Sequence, residues 1–299
     1  MFADARSHLR NIRDLLRFAV TRFQEAGLAF GHGSGNALDE AAYLIAHCLR
    51  LPQERLDAFM DATLLPDEIE AVLEMLRQRA ERRVPAAYLT REAWLGEYRF
   101  YVDERAIVPR SHIAELLDGQ LAPWVADPAA VTDALDLCTG SGCLAILLAH
   151  AFPNARIDAT ELSADAVGVA EINVRAYELE SRVRLYQGDL FAPLPGRRYQ
   201  VIVSNPPYVD AQAMASLPAE YRSEPVLALA GGRDGLDVIR RILAEAPHRL
   251  APEGLLVVEV GRDRPALEAA FPRLPFTWLA TAAGEDFVFC LRAEELAAV

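Results

Sequence analysis

The spacing of apolar and polar positions divides the chain into two regimes. Up to about residue 85 the apolar side chains recur at helical intervals. Leu9, Ile12, Leu16, Ala19 and Phe23 mark a first helix. The stretch Gly31–Gly35 breaks that pattern, and Asn36 stands where it can cap a second helix through Leu44, Ile45 and Cys48. Pro66 opens a third, with Asp67 and Glu68 at the positive end of its dipole. Its apolar face is Ile69, Val72, Leu73 and Leu76, and it ends in the basic stretch Arg77–Arg83. Residues 1–85 therefore predict a small helical domain, either a structural cap or a substrate-docking module.

Residues 86–120 read as a bridge. Tyr98–Val102 alternates enough for a hairpin strand, and a short helix follows through Ile113, Leu116 and Leu117. Beyond it the period changes. Short apolar runs at Ala134–Leu137, Arg156–Thr160, Val183–Tyr186, Gln200–Ser204 and Gly254–Val260 are mostly separated by helical stretches. Such alternation predicts an α/β domain over 121–299, with a parallel sheet covered on both faces. Phe276–Ala280 and Phe287–Leu291 lie close together around Gly284 and predict an antiparallel hairpin at the end of the sheet.

Candidate chemistry falls at the carboxyl ends of these strands, where open α/β sheets bind ligands. Asn205-Pro206-Pro207-Tyr208 follows the run Val201-Ile202-Val203. Two prolines stiffen the loop and supply no N–H groups, so its carbonyls are free to accept. Asn205 adds a side-chain carbonyl and Tyr208 an aromatic face. Together these suit a flat –NH2 group, with acceptors for its hydrogens and a ring for its plane. That points to chemistry on an amide nitrogen or an exocyclic base amine.

Asp136-Leu137-Cys138-Thr139-Gly140-Ser141-Gly142-Cys143 follows the first sheet strand and opens a helix. Glycines admit a ligand close to the backbone, and a helix start offers free N–H groups. The stretch is neither a full GxGxxG fingerprint nor a P-loop, and alone it suits a tight connection equally well. Glu161 ends the second strand, where an acid can accept from both ribose hydroxyls. Asp189 follows the third, where it can accept from an adenine amine. Each acid could also serve as a helix cap or turn, but the ordered series makes chance a poor explanation.

Length and composition narrow the setting. The 299 residues suit two ordinary domains, and 52% of them are hydrophobic, ample for a core. Apolar runs such as Leu255–Val258 are too short to span a bilayer, and Met1–Arg10 lacks the apolar stretch of a signal peptide. A cytoplasmic protein is the expectation. Cys48, Cys138, Cys143 and Cys290 form no paired CxxC, and no HExxH occurs, so no metal is expected. The net charge is −13: residues 1–90 carry 11 arginines against 13 acids, and the remainder 19 against 30. An acidic surface repels nucleic acid and attracts a basic partner.

The series of strand-end motifs resembles the class I S-adenosylmethionine-dependent methyltransferases, whose fold is Rossmann-like with a mostly parallel seven-stranded sheet. Within them, Asn205–Tyr208 resembles the N-methyltransferases of planar amines. The resemblance implies that Asp136, Cys138, Thr139, Gly140, Ser141, Gly142, Glu161, Asp189 and Asn205 line an S-adenosyl-L-methionine pocket, with S-adenosyl-L-homocysteine as product. It assigns catalysis to Asn205, Pro206 and Tyr208, and substrate binding to these with Pro207.

A helical N-terminal domain, a hairpin bridge and a C-terminal catalytic domain together resemble the protein-(glutamine-N5) methyltransferases over nearly the whole chain. Release-factor enzymes of that family show Pro-Arg-Pro-Asp-Thr-Glu after the bridge. Here Pro109-Arg110-Ser111-His112-Ile113-Ala114 leads into Glu115-Leu116. This is similar instead to the branch that methylates the large-subunit ribosomal protein L-three, with His112 in place of a proline. The stretches Tyr221–Pro225, Ala228–Gly232 and Asp234–Leu236 resemble the family too. The implied substrate is a basic ribosomal protein. The alternatives are a peptide-chain release factor, or an adenine or guanine of RNA or DNA, which would call for a basic groove that the acidic balance disfavours. No stable nucleic-acid or membrane binding is expected, and a monomer is. Arg110 is read as steadying the cofactor's carboxylate or the bridge, or else as half of a structural ion pair with a nearby acid; Phe100 as a cofactor cover or a core aromatic.

Overall fold

The computed structural model describes residues 2–31 and 33–297, so His32 of the expected Gly31–Gly35 breaker lies outside the described residues. The chain forms two compact units. One is Met1–Ala93 together with Pro218–Ser223; the other is Trp94–Leu217 together with Glu224–Val299. Residues 86–93, grouped with the bridge by their sequence, thus belong to the helical unit. So does a six-residue piece that no local pattern assigned to it.

The first unit contains helices α1 (Phe2–Ala5), α2 (Ile12–Glu25), α3 (Ala37–Leu49), α4 (Pro66–Arg82) and α5 (Ala86–Thr90). Asparagine caps start the two helices after α1: Asn11 Oδ1 accepts from Asp14 N, and Asn36 Oδ1 from Leu38 N and Asp39 N. Pro66 stands at the first turn of α4, where the Glu68 carboxylate accepts from Leu65 N at 2.8 Å. The buried face of α2 is Ile12, Leu15, Phe18, Ala19 and Phe23. Leu9 precedes the cap and is buried all the same, while Leu16 is only partly buried and Leu15 takes the inward position. These side chains pack against Leu44 and Ile45 of α3 and Ile69, Val72, Leu73 and Leu76 of α4.

An ionic cluster sits inside this apolar core. Arg79 of α4 is 1% exposed. It donates to Glu40 at 2.6 Å, to the Ala29 carbonyl at 2.9 Å and to Glu220 at 3.4 Å. Its guanidinium lies over the rings of Phe23 and Phe30. Arg83 and Ala29 N also donate to Glu220, which arrives with the Pro218–Ser223 piece.

The second unit opens on a hairpin of β1 (Ala93–Leu95) and β2 (Tyr98–Phe100), followed by α6 (Ile113–Asp118). Then come β3 (Asp133–Leu137), α7 (Cys143–Ala151), β4 (Arg156–Glu161), α8 (Ala164–Ala176), β5 (Val183–Gln187) and β6 (Tyr199–Ser204). The chain continues through α9 (Ala211–Ser216), α10 (Asp237–Arg249), β7 (Leu250–Glu259), α11 (Arg264–Ala270), β8 (Thr277–Trp278), β9 (Val288–Arg292) and α12 (Ala293–Ala297). The sheet has seven strands in the order β5-β4-β3-β6-β7-β9-β8. Strands β3 to β7 pair in parallel, and β9 and β8 are antiparallel, as the closing hairpin pattern predicts.

Alternate residues along the central strands enter two cores. Ala134, Ile157, Val201, Val203 and Val257 face one side, with α7, apolar but for His150. Leu135, Leu137, Ile202, Leu256 and Val258 face the other, with Ile239, Ile242 and Leu243 of α10. The chain runs outward from β3 through β4 to β5, then returns to lay β6 on the opposite side of β3. That reversal opens a crevice between the β3 and β6 ends. Among the described residues no helix is long and apolar enough to cross a membrane.

Candidate active site

Because β3 to β7 run parallel, the segments that follow them emerge at one edge of the sheet. In spatial order these are Asp189 after β5, Glu161 at the end of β4, the loop after β3, Asn205 after β6, and Glu259 at the end of β7. Ser204 Oγ donates to the Leu137 carbonyl at 2.9 Å and pins the ends of β6 and β3 together beside the crevice.

The loop after β3 is built on a buried acid. Asp136 is wholly buried and accepts from the Thr139 hydroxyl. Burial pushes its carboxyl up to about 7, and nearby Glu161 adds to the shift. Cys138 follows with φ 59°, and burial raises its thiol as well. Gly142 caps α7 at φ 81°; a Cβ there would stand 3.1 Å from the Cβ of Ala170, so only glycine lets the loop lie this close to α8. The Glu161 carboxylate accepts from Gly140 N and from Ser163 N, both at 2.9 Å, and so stitches the loop to the end of β4. Asn173 donates to the Ser141 carbonyl at 2.9 Å. Among the described residues the buried Ser141 hydroxyl has no hydrogen-bond partner. Asp189 is paired with Arg241 at 2.6 Å, both about half exposed.

On the other side of the crevice, Asn205 Nδ2 donates to the Arg110 carbonyl at 3.0 Å. This sets the orientation of the Asn205 amide by its hydrogen bond and leaves Oδ1 to accept. Pro206 is buried; Asn205, Pro207 and Tyr208 are half-buried. The Tyr208 phenol donates to Glu259 Oε1 at 3.1 Å. Its ring lies against Gly261, where a Cβ would come within 2.6 Å of Cε2, and the residue's backbone is crowded in the same way by Gly231 and Gly235. The glycines of the Ala228–Gly232, Asp234–Leu236 and Val260–Gly261 stretches thus make room for one tyrosine.

Two buried carboxylates to which no motif assigned a role hold the segment facing this loop. Glu224 grips the Arg110 guanidinium at 2.8 and 2.7 Å and accepts from Val108 N. Glu259 Oε2 accepts from Ser111 Oγ at 2.7 Å and from His112 N at 2.9 Å. Burial raises the Glu259 carboxyl above the ordinary glutamate range against the pull of these donors. Arg110 therefore ties the bridge by an ion pair to Glu224, outside it, and Phe100 is a fully buried core residue beside Tyr177. A signal for Glu259 was present in the sequence: a lone acid closing the apolar run Leu255–Val258. Glu224 lies in the Tyr221–Pro225 stretch noted above, which gave it no role.

Residues 121–220 match the family model described as Methyltransferase small domain, and residues 14–90 match the PrmC N-terminal domain. The chain is 59% identical over 297 residues to the ribosomal protein uL3 glutamine methyltransferase of Burkholderia pseudomallei (strain K96243), covering 97% of each chain. It is 57% identical over 296 residues to the protein of the same name from Neisseria meningitidis serogroup B (strain ATCC BAA-335 / MC58), covering 99% of this chain and 97% of that relative. Among solved structures, the hMettl16 catalytic domain in complex with MAT2A 3'UTR hairpin 1 aligns with a TM-score of 0.50 at 16% identity, over 85% of this chain and 90% of that one; this likeness is one of fold. With a class I methyltransferase fold, and with that identity over nearly the full length of its relatives, the chain belongs to the ribosomal protein uL3 glutamine methyltransferase family.

Proposed function

We propose that this enzyme transfers a methyl group from S-adenosyl-L-methionine to the side-chain amide nitrogen of a glutamine in ribosomal protein uL3, the protein L-three of the branch described above. The observation that carries the reading is the fixed amide of Asn205. Its Nδ2 donates to the Arg110 carbonyl, so Oδ1 is the atom left to accept.

The strand-end residues fit the cofactor. The Gly140–Gly142 turn with the α7 N-terminus suits its charged amino-acid end, and the unpartnered Ser141 hydroxyl gives that end a polar contact. Glu161 suits the ribose hydroxyls and Asp189 the adenine amine, the latter by exchanging or sharing Arg241. When bound, the cofactor supplies an electrophilic methyl on a sulfonium sulfur.

A glutamine amide nitrogen is a poor nucleophile because its lone pair is delocalised into the carbonyl. Asn205 Oδ1 and the Pro206 carbonyl accept its two hydrogens, which favours pyramidalisation and turns the lone pair towards the methyl donor. Tyr208 packs on the amide plane. Positioning and fixed dipoles supply most of the rate. The proton of the methylated nitrogen, by then acidic, leaves to water. On this reading the enzyme works in the cytoplasm as a monomer, its acidic surface attracts a basic substrate, and its helical unit docks that substrate.

The test is transfer of labelled methyl to purified uL3, to a peptide-chain release factor and to RNA, side by side. Label on uL3 alone, mapped to a glutamine side chain, is the expected outcome. Label on the release factor alone would keep the amide chemistry and overturn the substrate. Label on RNA alone would overturn both.

A further inference from the structure

An asparagine side chain has two orientations of nearly equal shape, related by exchange of its oxygen and nitrogen. Only one of them presents an acceptor to an incoming amide. In this enzyme the choice is made by the Arg110 carbonyl. What holds that carbonyl in place is therefore part of how the site works.

The Arg110 carbonyl belongs to the peptide plane between Arg110 and Ser111. Glu224 fixes the preceding side, through the Arg110 guanidinium and Val108 N. On the following side, the Ser111 hydroxyl and the His112 N–H both point at Glu259 Oε2, at 2.7 and 2.9 Å. The other oxygen of the same carboxylate holds the Tyr208 phenol. One buried side chain, 2% exposed, thus joins the segment that orients Asn205 to the ring that packs on the substrate. An apolar residue here would extend the Leu255–Val258 run and avoid the cost of burying a carboxylate. The Glu259 position is costly as packing and purposeful as alignment.

We propose that Glu259 is a positioning residue for methyl transfer: it locks Tyr208 and the Ser111–His112 backbone together, and through the Arg110 carbonyl it sets the orientation of the Asn205 amide. The inference rests on the glutamine-amide reading of the site. Glu259 neither touches the substrate nor takes its proton.

Two readouts separate this role from general stability. The first is the side-chain amide signal of Asn205 in a nitrogen-15 spectrum, identified by its loss in Asn205→Ala. In Glu259→Ala that signal moves to the position of an unbonded amide; in Glu259→Gln, which keeps an acceptor for Ser111 and His112, it stays. The second is kinetic. Glu259→Ala lowers kcat by about 100-fold, as expected for a misplaced reacting group, with little change in KM. Glu259→Gln turns an –NH2 towards the phenol, which loses its acceptor, and lowers kcat by about tenfold. In a Tyr208→Phe background, Glu259→Gln has no further effect, because that donor is already gone.

An unmoved Asn205 signal in Glu259→Ala would overturn the proposal whatever the activity. Should that variant not fold, an undiminished effect of Glu259→Gln in the Tyr208→Phe background would overturn it instead. A shifted signal in an enzyme whose wild type transfers no methyl to glutamine would remove the substrate reading and leave the alignment role standing.

Discussion

In the helical unit Glu220 is buried against Arg79 and Arg83, whereas at the sheet edge Glu259 is buried against a serine hydroxyl, a backbone N–H and a phenol. The two carboxyls respond in opposite ways. Burial works against ionisation of Glu220, but backbone donors and the two guanidinium groups hold it below the ordinary glutamate range. Burial lifts Glu259 above that range, because its hydroxyl, amide and phenol donors, with the pull of nearby His112, offset less of the desolvation. Charge closing on charge fastens a core. A carboxylate held chiefly by hydrogen-bond donors gives direction to each of them, at some expense in stability.

The strongest way to break this comparison is Arg79→Ala. It leaves Glu40 and Glu220 buried without that cation, and should cost about 3–5 kcal/mol in urea unfolding. An unchanged midpoint would mean that the cluster is not needed. Asn205→Ala probes the other region. Losing one preorganised acceptor should lower turnover by about 100- to 1000-fold, or 2.7–4 kcal/mol, while the unfolding midpoint stays near wild type. Near-normal turnover would remove Asn205 from the mechanism.

A subtler test uses pH. Asp136 has a folded value of about 7 against 3.8 for a free side chain, so its stabilising share is full below about pH 4 and is lost as pH rises to about 7. Asp136→Asn should flatten that decline in stability. Glu259 contributes with the same sign, present below its ordinary value and lost as pH rises through its folded one. Glu220 has the reverse sign, present above the ordinary glutamate value and lost as pH falls through the folded one. The smallest effect expected is that of Arg13→Ala. Its pair with Asp61 is fully exposed, and melting should not register the loss; a clear drop would show that surface pairs also matter here.

The elements that local chemistry dictates were legible in the sequence. Asn36 and Pro66 mark helix starts by capping rules, and β3, β6 and β7 appear as apolar runs because both faces of a parallel sheet are buried at its centre. Asn205–Tyr208 stood out as a candidate because stiffness, acceptors and an aromatic are adjacent in the chain. Arg79 was not: it reads as one more cation in Arg77–Arg83, and only Glu40 and Glu220, the latter 141 residues away, explain its burial. The orientation of Asn205 was likewise hidden, since it depends on a carbonyl 95 positions earlier. Periodicity reports which side chains go inside, and says nothing of which distant partner meets them there.

A ribosome making this chain releases residues 1–93 well before Glu220 exists. At about 5–20 residues per second, the nascent helices wait on the order of 10 s for the carboxylate that closes on Arg79 and Arg83. Until then Arg79 can reach Glu40 and the Ala29 carbonyl, and the Ala29 N–H has yet to meet Glu220. The first part of the protein to be synthesised is thus completed from downstream, and a gene fragment cut at residue 93 would encode a helical domain without its keystone.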